Sequence, residues 1–198
     1  NLFKNIALIA VSIFVLSCSD DDNNSNEPQT IADIASANPN LSILVQALDR
    51  AGLVATFDGT GDFTVFAPTN TAFNNFLATT PYATINDVPV PVLTEILKNH
   101  VIGASYTSSE LTTGYVKTLA KGSASSTNTL SMYIDLTSGV KINGGSTNGG
   151  ANVVLTSANI AASNGVIHVV DNVIGLPTVV NHAIANPSFA TLTTLLSA

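Results

Sequence analysis

Groups able to move a proton, bind a metal or attack an electrophile are few in this chain. It has three histidines, thirteen acids and one cysteine in 198 residues. His100, His168 and His182 stand 68 and 14 residues apart, which matches no metal-binding pattern of paired imidazoles. No Ser–His–Asp or Cys–His grouping is visible, and the acids are scattered apart from the run Asp20-Asp21-Asp22. That run lacks the glycine-turned loop and distal Glu of a calcium site. The glycine-rich segment 143–150 is not followed by a Lys-Ser or Lys-Thr helix start, so it reads as a flexible hairpin loop and not as a phosphate cradle. The expectation is a protein that is not an enzyme and that uses no metal and no cofactor.

Charge narrows the partners. The net charge is −7, but residues 30–198 hold nine acids against five bases, leaving −4 on the body of the chain. No basic patch exists, so nucleic acid is not an expected partner. Only 10% of residues are charged and 45% are apolar, while Ser, Thr, Asn and Gly abound. This is enough for one well-cored domain with a neutral, hydroxyl- and amide-rich surface, which suits an extracellular or envelope protein.

Residues 1–17 carry one cation, Lys4, before an apolar run from Ile6 to Leu16. The run is too short to span a bilayer and fits the core of a signal peptide. Val15-Leu16-Ser17-Cys18 resembles the lipobox of bacterial lipoproteins, in which the signal is cleaved before the Cys and the Cys is acylated. A signal peptide that happens to contain Cys18, or a buried thiol, is the bland alternative. The resemblance implies a membrane anchored through lipid on Cys18, with residues 18–29 as an acidic, disordered tether. The Asp run after the Cys also resembles the acidic export signals of surface lipoproteins of the Bacteroidetes type, so the implied location is the outer membrane, with exposure at the cell surface open.

The globular part must then position whatever remains. Phe63-Thr64-Val65-Phe66-Ala67-Pro68-Thr69-Asn70-Thr71-Ala72-Phe73 holds a strand-to-helix junction. Alternation puts Phe63, Val65 and Ala67 on one face and Thr64 and Phe66 on the other, so the strand is expected to be covered on both sides. Pro68 ends it, and Thr69 or Asn70 caps a helix whose stripe is Phe73, Phe76 and Leu77. Helices are expected from residue 30, over 41–52 and from Pro89 to about Asn99, with Val92, Leu93, Ile96 and Leu97 inward. Short strands are expected over 115–119, 129–136, 140–142 and 153–158, followed by a β-rich run over 165–174. Helices first and strands later give an α+β domain. Phe66→Ala is expected to cost about 3–5 kcal/mol, and Asn159→Ala almost nothing.

An internal repeat follows. Shifting residues 30–50 by 148 aligns Thr30, Ala35, Ala37, Asn38, Pro39, Leu44 and Leu48 with Thr178, Ala183, Ala185, Asn186, Pro187, Leu192 and Leu196. Seven identities in 21 positions exceed chance, so residues 178–198 read as the truncated start of a second copy of the domain at 30–177.

The segment Thr64 to Phe73, the run Asn164 to Asp171 and this spacing together resemble the fasciclin-like domain. Its signature boxes map here onto Thr64, Phe66, Ala67, Pro68, Thr69 and Phe73, and onto Asn164, Gly165, Ile167, His168 and Asp171. The resemblance implies N-terminal helices packed on a β-sheet or β-sandwich-like wedge. It also implies a surface-anchored, non-catalytic adhesion or interaction module that binds a glycan, matrix polymer or partner protein, often in tandem. In animal members a Tyr-His pair and an Asp-Ile pair are linked to integrin binding. They fall here at Asn99-His100 and Asn159-Ile160, so the tyrosine and the carboxylate are both replaced by Asn. His100 and His168 read more readily as interior hydrogen-bonding residues than as ligands. The alternative function is a small-ligand-binding envelope lipoprotein with a pocket between helices and sheet.

Overall fold

The structure, a computed structural model, describes residues 28–122 and 125–196. The signal segment over 1–17, Cys18 and all but the last two residues of the tether lie outside the described residues. At the inner end of the tether, the Gln29 carbonyl accepts a hydrogen bond from the Ser163 amide at 2.8 Å.

Five helices open the domain, interrupted by one strand. Thr30 and Asp33 form a capping box that starts α1, Ile31–Ala37. A 3-10 turn at Pro39–Leu41 leads into α2, Ser42–Arg50, and α3 is the five-residue Val54–Asp58. Strand β1, Phe63–Pro68, runs directly into α4, Asn70–Ala78, and α5 spans Val90–Asn99. The strands that follow are β2, Val101–Ile102; β3, Gly114–Lys117; β4, Ser131–Asp135; β5, Lys141–Ile142; β6, Ala151–Asn152; β7, Ile160–Ala162; and β8, Gly165–Val170. Two further helices, α6, Val179–Ala185, and α7, Ala190–Leu196, close the described chain.

The strands make two sheets. One has the order β2-β1-β8-β7 and the other β3-β4-β5-β6. The first is mixed: β1 and β8 run parallel over six residue pairs, from Phe63↔Gly165 to Pro68↔Val170, while β2 and β7 flank them antiparallel. Alternation along β1 separates two cores, as its sequence pattern predicts. Phe63, Val65 and Ala67 pack with α1–α5, whereas Phe66 packs with Ile102, Val170, Met132, Ile134 and Ile142 between the sheets. The layers are therefore helices, mixed sheet and antiparallel sheet, an α+β fold. Gly165 allows the central pair to close: its φ is +150°, and a Cβ there would run into the Phe63 carbonyl.

Several local expectations change. Residues 153–158 are not a strand. Val153 donates to Val140 in one sheet, Val154 donates to Val169 in the other, and the chain then turns through a 3-10 helix at Leu155–Ser157. This segment passes between the sheets and belongs to neither. Strand β3 stops at Lys117 because the Thr118 side chain turns inward to Asn99 and Leu119 donates to Val101 of β2. The segment 143–150 is no flexible loop. It turns through positive φ at Asn143, Gly144, Gly145 and Gly149, and Asn143 and Asn148 are buried. Val92 faces outward.

Phe66 has no exposed surface, so Phe66→Ala should lower unfolding free energy by about 3–5 kcal/mol. Val92→Ala, on the outer side of α5, should change it by less than about 0.5 kcal/mol. Urea denaturation of both variants checks the assignment of the two faces.

Candidate functional site

The residues of the two signature boxes are structural clamps. The Thr64 hydroxyl donates to the Ala104 carbonyl at 2.7 Å and accepts from the Tyr106 amide at 2.8 Å, tying the loop after β2 to the sheet. Thr69 caps α4 by accepting from the Ala72 amide. Asn70 serves a different helix: α2 has no side-chain cap of its own, and the Asn70 Oδ1 accepts from the Ile43 amide at 2.9 Å while Nδ2 donates to the Pro39 carbonyl and the Ser42 hydroxyl. Asn164 is buried and accepts from the Ile31 amide, while its Nδ2 donates to the carbonyls of Phe57 and Gly59 at 2.8 Å each. Asp171 accepts from both the amide and the side chain of Asn152 at 2.8 Å, holding β6 to the end of β8. Ala67, Phe73 and Ile167 are core, and Pro68 is the last residue of β1.

His100 of the Asn99-His100 pair and His168 of the second box are both interior and fully satisfied. His100 donates from Nδ1 to the Ile96 carbonyl at 2.8 Å, and its Nε2 accepts from the Ile174 amide at 2.8 Å. His168 donates from Nε2 to the Tyr106 carbonyl at 2.9 Å, its Nδ1 accepts from the Asn159 amide, and its ring stacks on Phe66 at 5.6 Å. A carbonyl can only accept, so the partners fix one neutral tautomer for each ring. Such rings cannot bind a metal without giving up a buried bond. Among the described residues, no group of three or more His, Cys, Asp and Glu could hold a metal ion.

The two pairs expected to mark adhesion are not brought together. Asn99 and His100 immediately precede β2, while Asn159 and Ile160 begin β7, at the opposite edge of the same sheet. Three strand spacings, roughly 14 Å, separate them. Asn99 has no exposed surface, its amide donating to the Gly175 carbonyl, and His100 is 2% exposed, so a receptor has no surface to touch at that pair. Asn159 is exposed but structural. It sits at φ +58°, its Oδ1 accepts from the Ser108 amide at 2.6 Å and its Nδ2 donates to the Ser108 hydroxyl. This corrects the expectation that Asn159→Ala is silent.

What the fold does present is a cleft where β1 and β8 end. It encloses about 240 Å³, lined by Asn38, Asn40, Thr69, Asn70, Thr71 and Ser157 above an apolar floor of Leu41, Val154 and Val169. No lining residue is ionisable. Asn70 is committed to α2 and Thr69 to α4, so Asn40, Thr71 and Ser157 are the groups left to meet a ligand. No sequence motif announces this cleft, because its residues come from four separate segments. Between helices and sheet, by contrast, the void under Ile31, Leu44, Phe57, Val65 and His100 measures about 10 Å³, room for one water at most.

Burial sets the acid response. Desolvation pulls His100 down to about 4, with the Ile96 carbonyl offsetting it in part, and burial lowers His168 and His182 as well. Unfolded histidine titrates near about 6.5, so the unfolded chain takes up protons first. The stabilisation is whole above about pH 6.5 and is lost as pH falls towards 4, with His100 contributing on the order of 3 kcal/mol. Asp33, Asp87 and Glu110 are held below the usual carboxylate range by hydrogen bonds from Thr30, Thr84 and Thr107, so their share is lost only at lower pH. Urea midpoints should therefore fall steadily between pH 6.5 and 4; a flat profile there would contradict neutral buried rings. In the same assay Asn159→Ala should destabilise by about 1 kcal/mol and Asn159→Gly by less, since glycine tolerates the positive φ.

Residues 39–177 match the family described as the Fasciclin domain. Protein sll1483 of Synechocystis sp. is 36% identical over 155 residues, 76% of this chain and 75% of that protein. The cell surface glycolipoprotein MPB83 of Mycobacterium bovis is 40% identical over a shorter stretch of 88 residues, 41% of this chain and 38% of that one. Among solved structures, a FAS1 domain pair from the insect cell adhesion molecule fasciclin I shares the fold, with a TM-score of 0.57 at 18% identity over 74% of this chain and 50% of that one. With the family match spanning most of the globular part, and a relative of this identity along three quarters of its length, the chain belongs to the fasciclin domain family.

Proposed function

We propose that this domain is a non-catalytic interaction module of the cell surface, anchored to the outer membrane through acylated Cys18, and that it binds a neutral, hydroxyl-rich polymer such as a glycan. The observation that carries the reading is the uncharged cleft at the ends of β1 and β8. Its free amide and hydroxyl groups can donate to and accept from sugar hydroxyls, and its floor of Leu41, Val154 and Val169 can meet the C–H face of a ring. Relatives support the setting: one is named a cell surface glycolipoprotein and another comes from a cell adhesion molecule. A matrix polymer or partner protein would use the same neutral surface. The reading as a small-ligand carrier is less well supported, because the void of about 10 Å³ between helices and sheet has no room for a ligand.

Two experiments test the reading. Multivalent display of the domain on arrays of neutral glycans and matrix polymers should give binding that Asn40→Ala with Ser157→Ala reduces at least tenfold without changing the melting temperature. Absence of binding at high valency, or binding indifferent to this double substitution, would overturn the cleft assignment. Separately, Cys18→Ser should move the protein out of the membrane fraction and abolish labelling by a fatty-acid probe; unchanged fractionation would remove the anchor.

A further inference from the structure

The last two helices reproduce the first two in geometry as well as in sequence. At the offset of 148 residues, α6 begins and ends where α1 does, and the 3-10 turn Pro187–Phe189 lies on Pro39–Leu41. Thr178 and Asn181 rebuild the Thr30–Asp33 capping box, the Thr178 amide donating to Asn181 Oδ1 at 2.8 Å where the Thr30 amide donates to Asp33 Oδ2 at 2.9 Å. The linking residues Asn38 and Asn186 share a backbone conformation, φ/ψ −99°/110° and −101°/114°, and each caps its turn with its own side chain.

Burial separates the two copies. Ile31, Leu41 and Leu44 are 2%, 1% and 4% exposed under the sheet and its neighbouring helices, whereas their counterparts Val179, Phe189 and Leu192 are 82%, 42% and 44% exposed. Six of the twelve large apolar residues exposed in the described structure, Val179, Val180, Ile184, Phe189, Leu192 and Leu195, lie on this helical pair. It carries no Asp, Glu, Lys or Arg between Val179 and Leu196. A helical pair of this composition is built for an interior.

The other side of α6 is already seated on the first domain. The Asn148 side chain donates from Nδ2 to the Asn181 backbone carbonyl at 2.8 Å, and the Asn181 side chain donates from Nδ2 to the Asn148 backbone carbonyl at 2.9 Å. The His182 ring meets Tyr115 of the edge strand β3 edge-on at 5.5 Å. Gly144 and Gly149 let the 143–150 turn come close to α6, a Cβ on Gly144 falling 3.4 Å from the Ala185 Cα.

We propose that the apolar face of α6–α7 is covered by the rest of a second fasciclin domain, encoded by the continuation of this chain, and that the Asn148–Asn181 pair fixes the angle between the two domains. The cover is the second domain's own sheet and helices, placed over Val179, Phe189 and Leu192 as β1, β8 and their partners are placed over Ile31, Leu41 and Leu44. Tandem domains so joined hold one set orientation instead of moving as beads on a string.

The full-length protein tests this. Its sequence should carry a second Thr-Val-Phe-Ala-Pro-like box about 148 residues after the first, and Val179→Asp should abolish a second calorimetric transition while leaving the first in place. In the 198-residue chain the same substitution should leave the melting temperature unchanged and reduce binding of a hydrophobic dye. Spin labels on the two domains of the full-length protein should give one narrow distance distribution that Asn148→Ala with Asn181→Ala broadens. A gene lacking the second box, or a full-length protein whose transitions Val179→Asp leaves unchanged, would overturn the covering domain. So would a 198-residue chain that dimerises through this face. A distance distribution unchanged by the double substitution would overturn the clamp.

Discussion

The structure depends on one strand pairing. Strands β1 and β8 lie side by side in parallel, and both of their faces are covered, one by the helices and the other by the antiparallel sheet. Every second residue must satisfy one apolar layer and the residues between must satisfy the other, so neither strand has a solvent face. That is why Phe63 and Phe66 fall on opposite sides of one strand, and why Gly165 stands where the backbones approach too closely for a Cβ.

Two-sided burial leaves polar groups in the interior, and the fold handles them with short side chains that reach across elements. Asn164 joins the start of α1 and the end of α3 to the β7–β8 turn, Asn70 caps a helix it does not belong to, and Thr64 and His168 converge on Tyr106 from neighbouring strands. These bonds replace ion pairs almost entirely: among the described residues the only salt bridge is the 3.7 Å contact between Glu95 and Lys98. Neutral amides, hydroxyls and imidazoles are cheaper to bury than charges, so a domain with so few ionisable residues can carry so many internal polar links. Thr64, Asn70, Asn164 and His168, all within the two signature boxes, are among these links.

The alternation of β1, the cap at Thr69 and the family itself were legible in the sequence, because two-sided burial and helix starts each impose a residue pattern. Three kinds of feature were not. Helix α3 and strand β2 are too short to repeat the pattern that would reveal them. Residues 153–158 read as a strand because Val153, Val154 and Leu155 form an apolar, β-favouring run, but Val153 bonds to Val140 and Val154 to Val169 before the chain turns away. Site residues were the least legible. Burial of Asn99 and His100 depends on residues 174 and 175, far along the chain, and the cleft draws Asn40, Thr71 and Ser157 from segments with no common motif. Asn159 was misjudged for a related reason: only the backbone geometry shows that it occupies a left-handed turn.

The central strand pair also sets when the molecule can come into being. Phe63 and Gly165 are register partners 102 residues apart, and closing a loop of that length costs about 4 kcal/mol of chain entropy before any contact forms. A chain delivered from its N-terminus therefore presents α1–α5 as amphipathic helices with half a sheet to lie on until Val170 has arrived. Both cores take residues from β8, Ile167 on one side and Val170 on the other, so neither is complete before that strand docks.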